Sequence, residues 1–343
     1  MPDLSGSMGP GQAAGVLGVD TSCYTTSLAL VDQEGKLRAE ARKILPVAQG
    51  ERGLRQGEAL FCHVQQLPGV MEALYATLQG QAEALPVKAV AVAVRPRPDE
   101  ASYLPVFRAG ESMARCLAAV LQVPLIATSH QEGHLMAGLY SAFADHGREW
   151  LERPFLAVHL SGGTTELLLV QPGQDGALAI DKLGGTTDLH AGQLVDRIGV
   201  ALGLPFPAGP AFEGLAATVE GTQELTFTTY VHGYEVSFSG VEAQALRQIA
   251  HCPGPLVARA VEAALAKTLE KWLRRAIEET GLRRVLIVGG VAANGYLRQR
   301  LRRRLEHRAV GATLAFATPA LSGDNAVGVA VMGWRQVFSK DNR

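Results

Sequence analysis

A sixteen-residue segment occurs twice in this chain, and the repetition narrows the folds it can adopt. Residues Val16 to Val31 read VLGVDTSCYTTSLALV, and residues Phe155 to Val170 read FLAVHLSGGTTELLLV. At an offset of 139 residues, eight of the sixteen positions are identical: Leu17/Leu156, Val19/Val158, Ser22/Ser161, Thr25/Thr164, Thr26/Thr165, Leu28/Leu167, Leu30/Leu169 and Val31/Val170. Each copy has the leucine and β-branched content of two strands joined by a short turn of small polar residues. Shared hairpin composition is the plain explanation. The number of identities favours an internal duplication over it. A turn of Ser, Thr and Gly also lets backbone N–H groups face an anion such as phosphate.

The remainder alternates strand and helix. Lys88 to Val94 predicts a buried strand, Ala109 to Leu121 a helix, and Pro124 to Thr128 a short strand. Pro255 to Thr280 predicts a long amphipathic helix stopped by Gly281. Arg284 to Val288 suits a central parallel strand, and Gly289 to Asn294 opens the next helix. A glycine turn between a central strand and a helix N-terminus is a ligand edge in α/β folds. A chain of 343 residues is long enough for two domains. The expected fold is therefore α/β: two duplicated actin-like ATPase domains (ASKHA, ribonuclease H-like) with an interdomain nucleotide cleft. Residues 1–15, rich in Gly, Pro and Ser, read as a disordered N-terminal extension, with Met8 as an alternative start. Residues 16–128 form the first domain, completed by a C-terminal helix at 325–338. Residues 129–324 form the second, with a histidine-bearing helix at its start.

That helix carries His130-Gln131-Glu132-Gly133-His134. Two histidines four apart on a helix share one face, which suits a common metal ion. Ser322-Gly323-Asp324-Asn325 offers a third ligand, and two His with one carboxylate leave open positions on a metal. The helical zinc-protease motif needs Glu directly after the first His, where this chain has Gln131. The alternative is two ordinary helix histidines beside a glycine. His63, His159, His190, His232 and His251 show no partner pattern. A net charge of −1 gives no global case for nucleic acid, so such binding needs a local basic patch. Arg298, Arg300, Arg302, Arg303, Arg304 and Arg308 supply a candidate, read against a plain solvated helix face, with Leu297, Leu301 and Leu305 as its buried stripe. Arg95 and Arg97 are further candidates. No apolar run is long enough for a membrane span, and the N-terminus lacks the basic-then-apolar pattern of a signal peptide. Cys23, Cys62, Cys116 and Cys252 show no close spacing, which predicts reduced thiols and a cytoplasmic protein.

Seven segments, in order, carry a more specific signal: VLGVDTSC near the start, SHQEGH at 129–134, SGGTTEL at 161–167, AGQLVDRIGVALGLPFPAGP at 191–210, VSFSGV at 236–241, VGGVAANGYLR at 288–298 and SGDNAVGVA at 322–330. On these the chain resembles the threonylcarbamoyl-adenosine synthase family, once described as glycoprotein endopeptidases, from about Val16 to Gly333. The resemblance implies a metal-dependent enzyme. It would move a threonylcarbamoyl group from threonylcarbamoyl-AMP to N6 of the tRNA adenosine beside the anticodon. By that resemblance His130, His134 and Asp324 are metal ligands, with Fe(II) foremost and Zn or Mn as alternatives. His159, Leu160, Ser161, Gly162 and Gly163 form the phosphate-side loop, Asp196 grips ribose or acyl-adenylate hydroxyls, and Gly209 and Asn294 line the adenosine pocket. The other ligand is an adenine nucleotide or acyl-adenylate. The partners are tRNA and small proteins of the same machinery, including a second actin-like subunit that docks on a helical surface near the first domain. Structural alternatives accompany three residues. Asp196 could pair on a solvated face, Asn294 could cap a helix, and Ser161 could cap its turn.

Four departures from the family pattern stand out. Tyr24 and Thr25 occupy the positions of an acidic pair, which leaves no catalytic residue assigned there. The stretch Arg95-Pro96-Arg97-Pro98-Asp99-Glu100 replaces a glycine-rich turn. Val241-Glu242 replaces Leu-Lys after the SFSG segment, which reverses a charge, and Thr164 follows Gly162-Gly163 where His or Asn is usual. They raise two other readings: a divergent paralogue acting as a carbamoyl or acyl transferase on another substrate, or a non-catalytic nucleotide-binding scaffold.

Overall fold

The structure, a computed structural model, describes residues 14–22, 24–47, 54–78, 86–143, 146–173, 177–219 and 224–338. Most of the expected N-terminal extension and Cys23 lie outside the described residues. The chain divides into two compact units, residues 1–45 with 56–133 and 325–343, and residues 46–55 with 134–324. The division falls inside the histidine helix rather than ahead of it.

In the first unit, β1 (Gly15–Ser22), β2 (Thr25–Asp32) and β3 (Leu37–Ile44) form an antiparallel meander. Gly15 already belongs to β1, so the first strand begins inside the span expected to be disordered. Helix α1 (Gln56–Leu78) leads to β4 (Val87–Arg95), which lies parallel to β1. Helix α2 (Phe107–Leu121) leads to β5 (Leu125–Ser129), parallel to β4. The sheet order is β3-β2-β1-β4-β5. Leu17, Val19, Leu28, Leu30, Val90 and Val92 pack on Val70, Leu74 and Ala114 of α1 and α2. Both faces of the central strands are covered, so β1 and β2 are buried at every position.

Helix α3 (His130–Ala142) follows β5, and α4 (Arg148–Leu151) comes next. The second unit repeats the meander as β6 (Phe155–Leu160), β7 (Thr165–Pro172) and β8 (Leu178–Thr186). Helices α5 (Ala191–Ala201) and α6 (Gly209–Ala217) follow, then the small strands β9 (Tyr230–His232) and β10 (Glu235–Ser237). Helices α7 (Ser239–Ile249) and α8 (Gly254–Thr280) lead to β11 (Arg284–Val288). Helix α8 ends on Gly281 in the left-handed region, which presents its N–H to the Ile277 carbonyl. A 3-10 turn (Gly290–Ala293) precedes α9 (Gly295–Leu305) and β12 (Thr313–Phe316). The expected helix after the glycine pair thus starts later, because Asn294 is its cap. The sheet reads β12-β11-β6-β7-β8-β10-β9, and β6, β11 and β12 are mutually parallel neighbours.

The order β8-β7-β6-β11-β12 repeats β3-β2-β1-β4-β5. The hairpins also match in register. Val16 pairs Val31 as Phe155 pairs Val170, and Thr21 pairs Thr26 as Leu160 pairs Thr165, each offset by the 139 residues of the sequence repeat. After α10 (Pro319–Ser322), the last helix, α11 (Val327–Phe338), belongs to the first unit, where Ala330 packs closely on Gly18 of β1. In the second unit α3 plays the matching part, with Gly138 against Val288 and Leu286 of β11. This is an α/β fold with an actin-like sheet in each lobe.

Candidate metal and substrate site

The start of α3 is fixed by a capping box. Ser129 Oγ accepts the Glu132 N–H at 3.2 Å, and the Glu132 carboxylate accepts the Ser129 N–H at 2.8 Å and its hydroxyl at 2.7 Å. Thr128 adds a third hydrogen bond at 3.1 Å. These bonds set the first turn, and so the placement of His130. The remodelled loop helps, because the Gln131 N–H donates to the Pro96 carbonyl at 3.0 Å.

His130 and His134 then stand one turn apart, both buried. His134 Nε2 lies 3.4 Å from Asp324 Oδ1. The spacing of the two histidines is set by one helix, and the His134–Asp324 pair lies within the second unit. One ligand atom from each of His130, His134 and Asp324 falls within 4.8 Å of the others. The donor set fits a divalent metal: two imidazole nitrogens and a carboxylate, with room for exogenous ligands.

Two further residues bear on the histidines. His130 Nδ1 lies 2.8 Å from Asp20 Oδ2, and Asp20 is fully buried at the end of β1. With a carboxylate accepting the Nδ1 proton, Nε2 keeps its lone pair for a metal, the usual outer-shell arrangement. The ring of His159, at the end of β6, lies 4.6 Å from that of His134 and is tilted 52°. His159 thus gains a neighbour that its sequence pattern did not indicate. Asp20 and His159 occupy equivalent positions of the duplicated hairpins, 139 residues apart.

Beyond His159 and Leu160, the backbone of Gly162 and Gly163 is exposed. Ser161 closes the turn, taking up its capping alternative: its N–H donates to the Thr164 carbonyl at 2.8 Å, and its hydroxyl accepts the Gly163 N–H at 3.3 Å. The turn rests on the start of α5. Ala191 N–H donates to Thr165 Oγ1 at 2.8 Å and Gly192 N–H to the Ser161 carbonyl at 3.1 Å. A β-carbon at Gly192 would sit 2.6 Å from the Gly162 nitrogen, so only glycine allows this approach. Gly289 is equally constrained: its φ is +96°, and a β-carbon there would lie 2.3 Å from the Leu160 carbonyl oxygen. The Ala191 and Gly192 amides of α5 are thus used within the chain, while the backbone of Gly162 and Gly163 is exposed.

Asp196 accepts the Ala208 N–H at 2.8 Å, at the start of α6, which brings it beside Gly209. Burial pushes its carboxyl up, and the Ala208 hydrogen bond opposes the shift. Its neighbour Arg197 pairs instead with Glu242 at 3.2 Å, so the reversed charge after the SFSG segment has an internal partner. Asp188 binds that segment to the entry of α5. It accepts hydrogen bonds from Ser237 Oγ at 2.6 Å, Phe238 N at 2.9 Å, Ser239 Oγ at 2.5 Å and Leu189 N at 2.5 Å. Burial raises this carboxyl, but the four donors outweigh it and hold the group well below the ordinary carboxylate range.

Asn294 is the N-cap of α9, its Oδ1 accepting the Leu297 N–H at 2.9 Å and its Nδ2 donating to Glu262 at 2.6 Å. The capping alternative is therefore the arrangement present. Glu262 is buried, which raises its carboxyl, while Asn294 and Arg259 lower it. Glu213 accepts the Gly295 N–H at 2.8 Å beside this cap. Tyr24 and Thr25 close the first hairpin: Thr25 is buried in the β2–β3 ladder, and the Tyr24 carbonyl accepts the Leu45 N–H at 2.7 Å.

Arg298 corrects the sequence expectation of an exposed arginine. It donates to the carbonyls of Ala292 and Ala317, both at 2.6 Å, and to Ser322 Oγ at 3.1 Å. It ties the 3-10 turn to the segment before Asp324 instead of facing solvent.

Twin actin-like sheets, a glycine-lined turn and a two-histidine, one-aspartate cluster define the class: an α/β protein of actin-like fold with a candidate metal site. Comparison narrows the class. The family model for tRNA N6-adenosine threonylcarbamoyltransferase matches residues 53–331. A curated tRNA N6-adenosine threonylcarbamoyltransferase from Parasynechococcus marenigrum (strain WH8102) is 32% identical over 337 residues, covering 92% of this chain and 89% of that one. The chain belongs to the tRNA N6-adenosine threonylcarbamoyltransferase family, a family of transferases. Among solved structures, HypF of T. kodakarensis matches at TM-score 0.59 and 16% identity, over 96% of this chain and 48% of that one. The activator of the 2-hydroxyisocaproyl-CoA dehydratase from Clostridium difficile, with bound ADPNP, matches at TM-score 0.51 and 12% identity, over 96% and 98%. These two likenesses concern the fold.

Proposed function

We propose that this chain transfers the threonylcarbamoyl group of threonylcarbamoyl-AMP to N6 of the tRNA adenosine beside the anticodon. The observation that carries the reading is the family match over residues 53–331 in a chain that clusters His130, His134 and Asp324. In the reaction the adenosine N6 attacks the carbamoyl carbon. A C–N bond forms, the C–O bond of the mixed anhydride breaks, AMP departs and N6 loses a proton. AMP is already a good leaving group, so orientation matters more than a protein nucleophile.

His130, His134 and Asp324 hold a divalent metal, Fe(II) foremost with Zn or Mn as alternatives. Such an ion supplies Lewis-acid stabilisation of the charge that develops on the anhydride oxygens. Asp20 holds His130 through its Nδ1 proton. The turn from His159 to Gly163 receives the phosphate side, and Asp196 and Gly209 receive the ribose and adenosine. Asn294 acts through its backbone position at the head of α9, because its side chain is already engaged.

Partner proteins of the same machinery dock on the first unit. Support comes from an apolar groove of about 600 Å³ between α1 and α2, lined by Leu60, Val64, Leu67, Met71, Met113 and Leu117. Phe61 and Val64 are more than half exposed on α1, and Val120 is 81% exposed on α2. Among the described residues no helix is long and apolar enough to cross a membrane.

One observation favours a second reading. Tyr24 and Thr25 stand where the family pattern has two carboxylates. With a different acceptor side, the chain would be a carbamoyl or acyl transferase on another substrate, or a nucleotide-binding scaffold. Supplying the acyl-adenylate enzyme and an unmodified tRNA separates the readings. The expected result is the modified nucleoside in the digest; its absence alongside normal AMP binding would select the second reading.

A further inference from the structure

We propose that the face built by α8 and α9 binds the phosphate backbone of the RNA substrate. The proposal rests on the tRNA reading above. Residues 267–308 contain twelve Lys and Arg against four Glu, whereas the whole chain has 32 Lys and Arg against 33 Asp and Glu. A nearly neutral chain therefore concentrates its positive charge on one stretch and is acidic elsewhere.

The fold assembles that stretch into one surface. Leu269 and Leu273 of α8 share a core with Leu297, Leu301 and Leu305 of α9, which turns the charged sides of both helices outward. The acidic groups there do not neutralise the arginines. Glu270 is shared by two cations, Arg304 at 2.9 Å and Arg274 at 3.4 Å. Arg302 pairs with Glu306 at 2.8 Å, while Arg303 and Arg308 are exposed beside it. Arg283 extends the surface to the turn after α9, where its guanidinium meets Gly311. Arg298, Arg284 and Arg274 are excluded, because all three are partly buried and donate to backbone carbonyls. A surface dominated by guanidinium groups matches phosphate oxygens in charge and in fork geometry. Contacts of this kind position a nucleic acid without reading its bases. The occupant is thus an RNA backbone, whose binding releases condensed counterions and weakens with salt.

The test is fluorescence anisotropy of an unmodified tRNA transcript with the full chain across a salt series. Wild type is compared with an Arg303→Gln, Arg308→Gln double variant. Both side chains are exposed, so the variant should keep the wild-type thermal midpoint, and that is measured alongside. Losing two phosphate contacts should flatten the slope of log affinity against log salt by about 1.4–1.8. Binding at low salt should weaken roughly tenfold or more. If the wild type binds tRNA and the double variant shows the same affinity and slope, the proposal is wrong while the tRNA reading stands. If the wild type neither binds nor modifies tRNA, the tRNA reading itself fails and takes this surface with it.

Discussion

The β1–β2 and β6–β7 hairpins share strand order and register, yet they end in different chemistry. In the first, Asp20, Thr21 and Ser22 are all buried. Thr21 Oγ1 donates to the Val106 carbonyl and accepts the Gly110 N–H, both at 3.0 Å, so the end of β1 is tied to the start of α2. In the second, the equivalent strand ends in His159, Leu160 and Ser161, and the turn beyond exposes Gly162 and Gly163. One hairpin buries the end of its first strand and holds a histidine through a carboxylate. The other is open at its tip and sets a ring against the second histidine. Duplication thus fixes where the strand ends lie, and point differences decide what each end does. The same offset that relates the hairpins relates Asp20 to His159, the residues beside His130 and His134.

The comparison breaks most completely if α3 carries no metal. Asp324→Ala removes the only carboxylate of the cluster. Elemental analysis should then fall from about one metal per chain to near none, and equal metal in both proteins would remove the metal reading. A second test sharpens the account of the open hairpin. Gly192→Ala places a methyl 2.6 Å from the Gly162 nitrogen. We expect AMP binding by calorimetry to weaken and stability to drop by about 1–3 kcal/mol in urea titration. Unchanged AMP affinity would mean that the turn does not depend on α5 for its shape.

The smallest effect concerns the support behind that turn. Asp188 has a lowered folded-state pKa, so its contribution is present above the unfolded carboxylate range and is lost as pH falls through the folded value. Asp188→Asn should lower the thermal midpoint of the metal-free protein at pH 7. The gap should narrow below about pH 4. A constant gap across that range would show that the carboxylate charge is not what holds the Ser237–Ser239 segment.

Much of the scaffold was legible because its signals are local. Arg284 to Val288 reads as a strand from an apolar run between an arginine pair and two glycines, and the strand has those bounds. Gly281 marks the end of α8 because a left-handed cap favours glycine. The histidine pair is visible in the sequence, and the Ser129–Glu132 capping box that positions it was there to be read as S-x-x-E. What escaped depends on distant chain. Asp20 meets His130 across 110 residues of sequence, and no spacing rule predicts that contact. Arg298 resembles its exposed neighbours along α9, and only the carbonyls of Ala292 and Ala317 reveal it as internal. Asn294 suits either a ligand contact or a cap by sequence, and the engagement of its amide at both ends makes it a cap.

The central claim is that equivalent positions of the two hairpins serve the two histidines proposed to hold the metal by different means, a hydrogen bond in one and a ring contact in the other. Anaerobic titration of metal-free protein with Fe(II) or Co(II) measures it directly, comparing wild type, Asp20→Asn and His159→Leu. Loss of an outer-shell carboxylate should weaken metal binding about 10–100-fold and shift the Co(II) absorption bands. The His159→Leu change removes the ring beside His134 and should cost less than about tenfold, with the bands nearly in place. Equal affinities and spectra for Asp20→Asn and wild type would contradict the claim.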